Sequence, residues 1–236
     1  MVFCTLTNSS VTKIDKELFE KLEAQISLVG QSSDKDDFET IKKNLANPPR
    51  LSPEDFAFEA IYVILAGGFS QKTAKRVFAE ICAYLTEANG APIRGSDLFE
   101  IFKNANKTNA TAKIWNGRKE FCEKFYSLKT DGEKLDFLET LPHIGKITKN
   151  HIARNLGISV VKYDVWIQRL ALALCDEKKP QKNTKSDSKT AKNALDESLK
   201  SRCDEIFATL QKETGLPVGY LDAVLWKSCQ IGLFSF

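Results

Sequence analysis

A single acid stands in a cluster of bases. Between Leu141 and Arg169, the side chains Lys146, Lys149, Arg154, Lys162 and Arg169 surround one carboxylate, Asp164. The local balance is +4 in a chain whose whole net charge is +3. Clustering of this kind attracts a polyanion such as a phosphate backbone. The same stretch opens on Leu141-Pro142-His143-Ile144-Gly145, which reads as a tight turn between two helices. A glycine there lets the backbone approach a partner closely. The helix beyond it, about Thr148 to Asn155, offers unpaired N–H groups and a positive dipole end that suit a phosphate. Gly157 stops that helix, and an extended run from Ile158 to Lys162 leads to Asp164 at the start of the next apolar helix. An isolated Asp before an apolar helix is also an ordinary N-cap, so capping and chemistry both stay open for it.

Helix, L-P-x-I-G turn, helix, then an Asp opening the following helix resembles the helix-hairpin-helix DNA glycosylase superfamily, the endonuclease-III-like and alkylbase-glycosylase-like enzymes. Leu141, Pro142, Ile144, Gly145, Thr148 and Asp164 match the family's positions, and Asp164 follows Gly145 by 19 residues, within a residue or so of the family interval. The resemblance implies an all-α, two-lobed fold with the DNA cleft between the lobes. It implies a hairpin that grips double-stranded DNA through His143, Gly145, Lys146, Thr148 and Lys149. It makes Asp164 the catalytic residue. Cleaving an N-glycosidic bond puts positive charge on the sugar as the base departs, and a carboxylate beside the sugar stabilises that charge and can activate water. Two positions depart from the family. His143 stands where the family often has Gly. Bifunctional members carry a Lys two residues after the hairpin's second Gly, and here that position is Ile147, flanked by Lys146 and Lys149. The resemblance therefore implies a monofunctional glycosylase, which flips out a damaged, mismatched or modified base and leaves an abasic site.

An extruded base needs aromatic faces and a side chain that fills the vacated stack. Tyr62, Phe69, Trp115 and Trp166 are candidates for the pocket, and Phe69 or Gln71, in the turn Gly67-Gly68-Phe69-Ser70-Gln71, for the insertion. Each aromatic at such a position is more often core than pocket. Glu59, three residues before Tyr62, could read a base edge or sit on the surface. His143 and His151, the only histidines, have no Cys or acid at metal-ligand spacing, so no metal site is expected. The resemblance also implies a monovalent cation held by hairpin backbone carbonyls, as in family members. Six cysteines at 4, 82, 122, 175, 203 and 229 form neither a disulfide framework nor a zinc spacing. Some relatives carry four closely spaced C-terminal cysteines for an iron–sulfur cluster; only Cys203 and Cys229 fall in that region, so no cluster is expected.

The 236 residues suffice for one large domain or two small ones, with ordinary hydrophobic (42%) and charged (28%) content. The pI near 8.4 permits a nucleic-acid partner without arguing for one. Long apolar runs and a secretory leader are both missing, which predicts a protein of the cytoplasm, associated with a bacterial nucleoid or in the nucleus of a eukaryote, with no membrane partner; a monomer is expected. Apolar spacing predicts helices over Ser10 to Gly30, Phe38 to Leu45, a buried central helix after Ser52-Pro53, Lys72 to Leu85, Ser96 to Phe102, Ile114 to Leu128, Lys134 to Leu141, a buried helix after Asp164, Ala194 to Thr214 and Leu221 to Ile231. Lys103 to Thr111 reads as a polar connection. The expected division is a lobe of 1–67 with 171–236, a hairpin-bearing bundle of 68–170, and a mobile basic insertion at 177–193 rich in Lys and Ser. Two readings outside base-excision repair also fit: a restriction or defence glycosylase acting on specific or phage-modified bases, and a non-catalytic protein that only grips DNA structure.

Overall fold

The computed structural model describes residues 13–29, 32–174 and 188–233. Among these residues there are twelve helices and no strand. Chain contacts divide them into two compact units, residues 47–158 and residues up to 46 together with 159 onwards.

The middle unit is built on α3 (Pro53–Ala66). Ser52 caps it, accepting the Asp55 N–H at 3.0 Å; Pro53 fills the first position, and Glu54 and Asp55 favour the positive end. Phe56, Ala57, Ala60, Ile61, Val63, Ile64 and Leu65 are buried around most of its circumference. A helix apolar nearly all round must be covered on several sides. Here α4 (Gln71–Glu87), α6 (Ala105–Asn116), α7 (Arg118–Ser127) and α9 (Lys146–Asn155) cover it. The small α5 (Gly95–Phe99) packs on α6, and α8 (Asp131–Thr140) packs on α9. The expected grouping of residues 47–67 with the terminal segments is thus corrected: α3 is the centre of the middle unit, because its apolar surface is satisfied there.

Two local expectations in this unit also change. Lys103 to Thr111 is not a connection: α6 runs through it, capped by the Asn104 side chain accepting the Lys107 N–H at 3.1 Å. Within that run it buries Thr108, Ala110 and Thr111, small residues that carry no strong hydropathy signal, beside Lys107; Ile114 and Trp115 continue the buried face beyond it. The helix expected from Ile114 to Leu128 is two helices. Gly117 separates them, and a Cβ at Gly117 would lie 2.6 Å from the Phe121 ring.

The other unit combines α1 (Lys16–Val29) and α2 (Ser32–Ala46) with α10 (Val165–Ala173), α11 (Ser188–Thr214) and α12 (Val218–Gln230). Helix α1 begins later than expected because Asp15 is its cap, accepting the Leu18 N–H at 3.0 Å. One core joins both ends of the chain: Phe19, Leu22 and Ile26 pack with Ile167, Leu170, Cys203, Phe207, Leu221 and Val224. Helix α12 is its most enclosed element, and its start at Val218, straight after Pro217, is earlier than expected. Helix α10 buries only Ile167, Leu170 and Ala171, while Val165 and Leu172 are exposed, so it is one-faced rather than the fully buried helix its sequence suggested. Of the expected insertion, residues 188–193 open α11, where Lys and Ala continue the helix without a breaker; residues 177–187 lie outside the described residues. The extended run from Ile158 has no strand partner; its polar groups turn to α12, with the Gly219 N–H donating to Ser159 and the Lys162 N–H to Asp222. No helix among the described residues is long and apolar enough to cross a membrane.

Candidate active site

The hairpin is formed as its sequence implied. Leu141 and Ile144 are buried and anchor the turn, and the Ile144 N–H donates to the Leu141 carbonyl at 3.1 Å. His143 lies between them with φ 64°, in the left-handed region that favours glycine. This explains why a position the family often fills with Gly is the one that looked anomalous. Gly145 is different: its backbone is extended (φ −119°, ψ −175°), and a Cβ would find only Thr148 Oγ1, at 4.0 Å. Its bareness leaves room for something outside the chain.

Thr148 closes the start of α9. Its hydroxyl accepts the Gly145 N–H at 2.7 Å and donates to the Gly145 carbonyl at 3.1 Å, while the Lys149 N–H donates to that carbonyl at 2.9 Å. The N–H groups of Lys146, Ile147 and Thr148 are left as the open end of the helix. Lys146 is exposed beside them, and Ile147 is also exposed. Lys149 is committed elsewhere: its ammonium pairs with Glu139 of α8 at 2.5 Å. Of the two hairpin lysines, Lys146 is therefore the one left exposed at the open end of α9.

The α3–α4 turn holds Phe69 half out of the unit, 43% exposed. Its ring meets Phe102 edge-on at 5.3 Å, and Lys107 lies 4.6 Å from its centre. Lys107 is buried, and its ammonium donates to the carbonyls of Leu65 (3.1 Å) and Gly67, at the negative end of α3. Burial pushes its pKa down. Nothing in the polar 103–111 run marked this lysine as the residue that fixes the turn. Gln71, half-buried, begins α4 after the Ser70 cap.

Of the aromatic candidates, Trp115 is core: 3% exposed, stacked on Phe58 at 5.5 Å, with Arg118 4.4 Å from its ring. Tyr62 is half-buried between Phe78 (5.4 Å) and His151 (6.2 Å). Glu59, one turn before Tyr62, accepts the Asn155 amide at 2.8 Å. Trp166 is half-buried on its own unit's core, with Arg169 5.4 Å from its ring.

Asp164 caps α10. One oxygen, Oδ1, accepts the N–H groups of Trp166 (3.0 Å) and Ile167 (3.2 Å). The other, Oδ2, lies 3.2 Å from the Lys162 ammonium. Capping and chemistry are thus not rivals here: the cap uses one oxygen and fixes the direction of the other. Between the two residues, Tyr163 has φ 52°, its carbonyl accepts the Gln168 amide at 2.7 Å, and its hydroxyl donates to Asp204. The Cys229 thiol, in the core behind, is pushed up to about 12 by burial and then by the charge of Asp164. Cys203 and Cys229 are in no disulfide and pack among apolar side chains, and Cys4 and Cys175 lie outside the described residues. No group of three His, Cys, Asp or Glu side chains that could hold a metal ion occurs among the described residues.

No family model matches the chain. No curated protein matches it. Solved structures do. The Methanocaldococcus jannaschii 8-oxoguanine glycosylase/lyase, bound to a 15mer DNA containing 8-oxoguanine, superposes with a TM-score of 0.58 at 19% identity, over 93% of this chain and 100% of that one. The chain has the helix-hairpin-helix glycosylase fold. A second structure of the M. jannaschii 8-oxoguanine DNA glycosylase gives a TM-score of 0.56 at 20% identity, over 89% of this chain and 92% of that one. The 8-oxoguanine DNA glycosylase of Thermotoga maritima gives 0.54 at 19%, over 89% and 95%. The glycosylase fold accounts for the all-α architecture in which the hairpin and the Asp164 cap are set.

Proposed function

We propose that this chain is a DNA N-glycosylase that works as a monofunctional hydrolase. The observation that carries the reading is the oriented carboxylate of Asp164, held by two backbone N–H groups in a chain with the glycosylase fold. The open end of α9 and Lys146 bind phosphates of a double-stranded duplex, and the extruded nucleotide presents its sugar to Asp164 Oδ2. As the base leaves, the carboxylate stabilises the cationic sugar, and water completes the hydrolysis. Ile147 offers no amine to attack the sugar, which favours an abasic product over a cut strand. The three structural neighbours are named for 8-oxoguanine, so a duplex with that base is the first substrate to try.

The test is a panel of duplexes, each with one altered base, treated with the protein and then with or without alkali. Nicks that need alkali are expected. Asp164→Asn keeps a capping side chain, so folding should survive while release falls by at least ~100-fold, the scale of losing one transition-state charge. Undiminished release by this variant would remove Asp164 from the chemistry. One observation favours a second reading, a binding protein without catalysis: Lys162 already neutralises the free oxygen of Asp164. Duplex binding with no release across the panel would select it.

A further inference from the structure

The Lys162–Asp164 pair is the one feature of the site that opposes the proposed chemistry. A cationic sugar needs an uncompensated carboxylate, yet Oδ2 faces an ammonium 3.2 Å away, with the two side chains only 16% and 13% exposed. This is not a loose surface pair. The Lys162 ammonium also lies 5.4 Å from the centre of the Trp226 ring, whose face attracts a cation. Its backbone N–H donates to Asp222, and Tyr163 is held left-handed by Gln168 and Asp204, with Lys200 5.2 Å from its ring. A backbone conformation unfavourable to a tyrosine persists only where its surroundings over-determine it. The segment 162–164 is therefore built to set this lysine against this acid.

Resting on the glycosylase reading, we propose that Lys162 is a positioning residue that exchanges partners. In the free protein it masks Asp164; when a strand is bound it transfers to the phosphate beside the target sugar and leaves Asp164 as the uncompensated charge at the reacting carbon. Lysine suits the exchange, being a compact charge on a flexible stem that accepts carboxylate or phosphate. The phosphate is a competitor that only bound nucleic acid supplies, so the mask lifts when substrate is in place. Full negative charge at Asp164 is then coupled to occupancy of the site.

The experiment is a double-mutant cycle on binding to a duplex carrying a tetrahydrofuran abasic analogue, which needs no turnover. Lys162→Met keeps an apolar stem against Trp226 and should weaken binding about tenfold while lowering the salt slope by about one phosphate contact. Asp164→Asn should tighten binding several-fold by freeing Lys162, and that gain should vanish when Lys162 is already Met. Lys162→Arg should keep the affinity and the salt slope. With a releasable base, the effect of Lys162→Met should fall on the half-saturating duplex concentration. Additive effects of the two substitutions would overturn the exchange. So would a plateau rate lowered 100-fold with binding intact, or a borohydride-trapped adduct that Lys162→Met abolishes, since either puts Lys162 in the chemistry itself. The cycle stays readable if no duplex releases a base, so failure of the glycosylase reading and failure of the exchange are separate results.

Discussion

At the scale of single residues, backbone conformation decides which departures from a motif matter. His143 has φ 64°, a region that costs an ordinary L-residue about 1–2 kcal/mol and glycine nothing. Part of that gain is offset by glycine's greater freedom in the unfolded chain. His143→Gly should therefore stabilise the protein by about 0.5–1 kcal/mol in denaturant unfolding, and His143→Ala should not. Destabilisation by the glycine would mean that the imidazole makes a compensating contact in the folded state. Any loss of duplex binding by the same stabilised variant would report a direct imidazole contact with DNA. The turn was legible from its sequence because Leu141, Pro142, Ile144 and Gly145 each have a local reason to be there. The mask over Asp164 was not. Lys162 read as one of five nearby bases, and only the left-handed backbone of Tyr163 and its tie to Asp204 set it against the acid.

At the scale of elements, a cap was readable where Pro followed it, as in Ser52-Pro53, and not where it stood alone, as in Asp15 before α1 and Asn104 before α6. Ser52-Pro53 gave the start of α3 to the residue. The first half of helix α6 is hidden in the sequence because what it buries there is Thr and Ala, and because a lysine in a polar run announces exposure; Ile114 and Trp115 mark only its second half. Lys107 does the reverse: it enters the core and closes the C-terminal end of α3. Lys107→Met leaves the Leu65 and Gly67 carbonyls without their donor and should cost about 1–3 kcal/mol near neutral pH. The pH dependence has a definite sign. Burial lowers the folded-state pKa of Lys107 below its ordinary 10.5, so between the two values the unfolded chain binds more protons than the folded one. Stability contributed at this site should therefore rise with pH through that window. The gap between parent and Lys107→Met should widen from neutral to about pH 10 in denaturant titrations. Taking the difference removes Tyr163, Tyr220 and Cys229, whose raised pKa values act oppositely in both proteins. A gap that narrows with pH would show that the buried ammonium is net stabilising in its charged form.

At the scale of the whole molecule, the chain makes one continuous unit and one discontinuous unit. Residues 47–158 carry their own central helix and its covering helices. The other core exists only when Phe19, Leu22 and Ile26 of the first helix meet residues that follow 159. Hydropathy periodicity marks which face of a helix is buried but not which partner buries it, and this is why α3 was assigned to the wrong neighbours from sequence. The partition separates the two chemical elements cleanly: the hairpin belongs to the middle unit and Asp164 to the other. A fragment spanning 47–158 should melt cooperatively as a helical domain, because its buried surface is complete within itself. A fragment of 159–236 should lack a cooperative transition until the 1–46 segment is supplied. If the hairpin is the grip, the 47–158 fragment should bind duplex DNA with a steep loss of affinity in salt, and neutralising Lys146 should reduce that slope by about one contact. If Asp164 is the catalytic carboxylate, the same fragment should release no base from any duplex the intact chain acts on. Base release by the folded fragment would move the chemistry into the middle unit, with Glu59 as the carboxylate to examine, since it sits one turn from Tyr62. A folded fragment that fails to bind, beside an intact chain that does, would take the grip away from the hairpin and give it to the unit that holds Lys162.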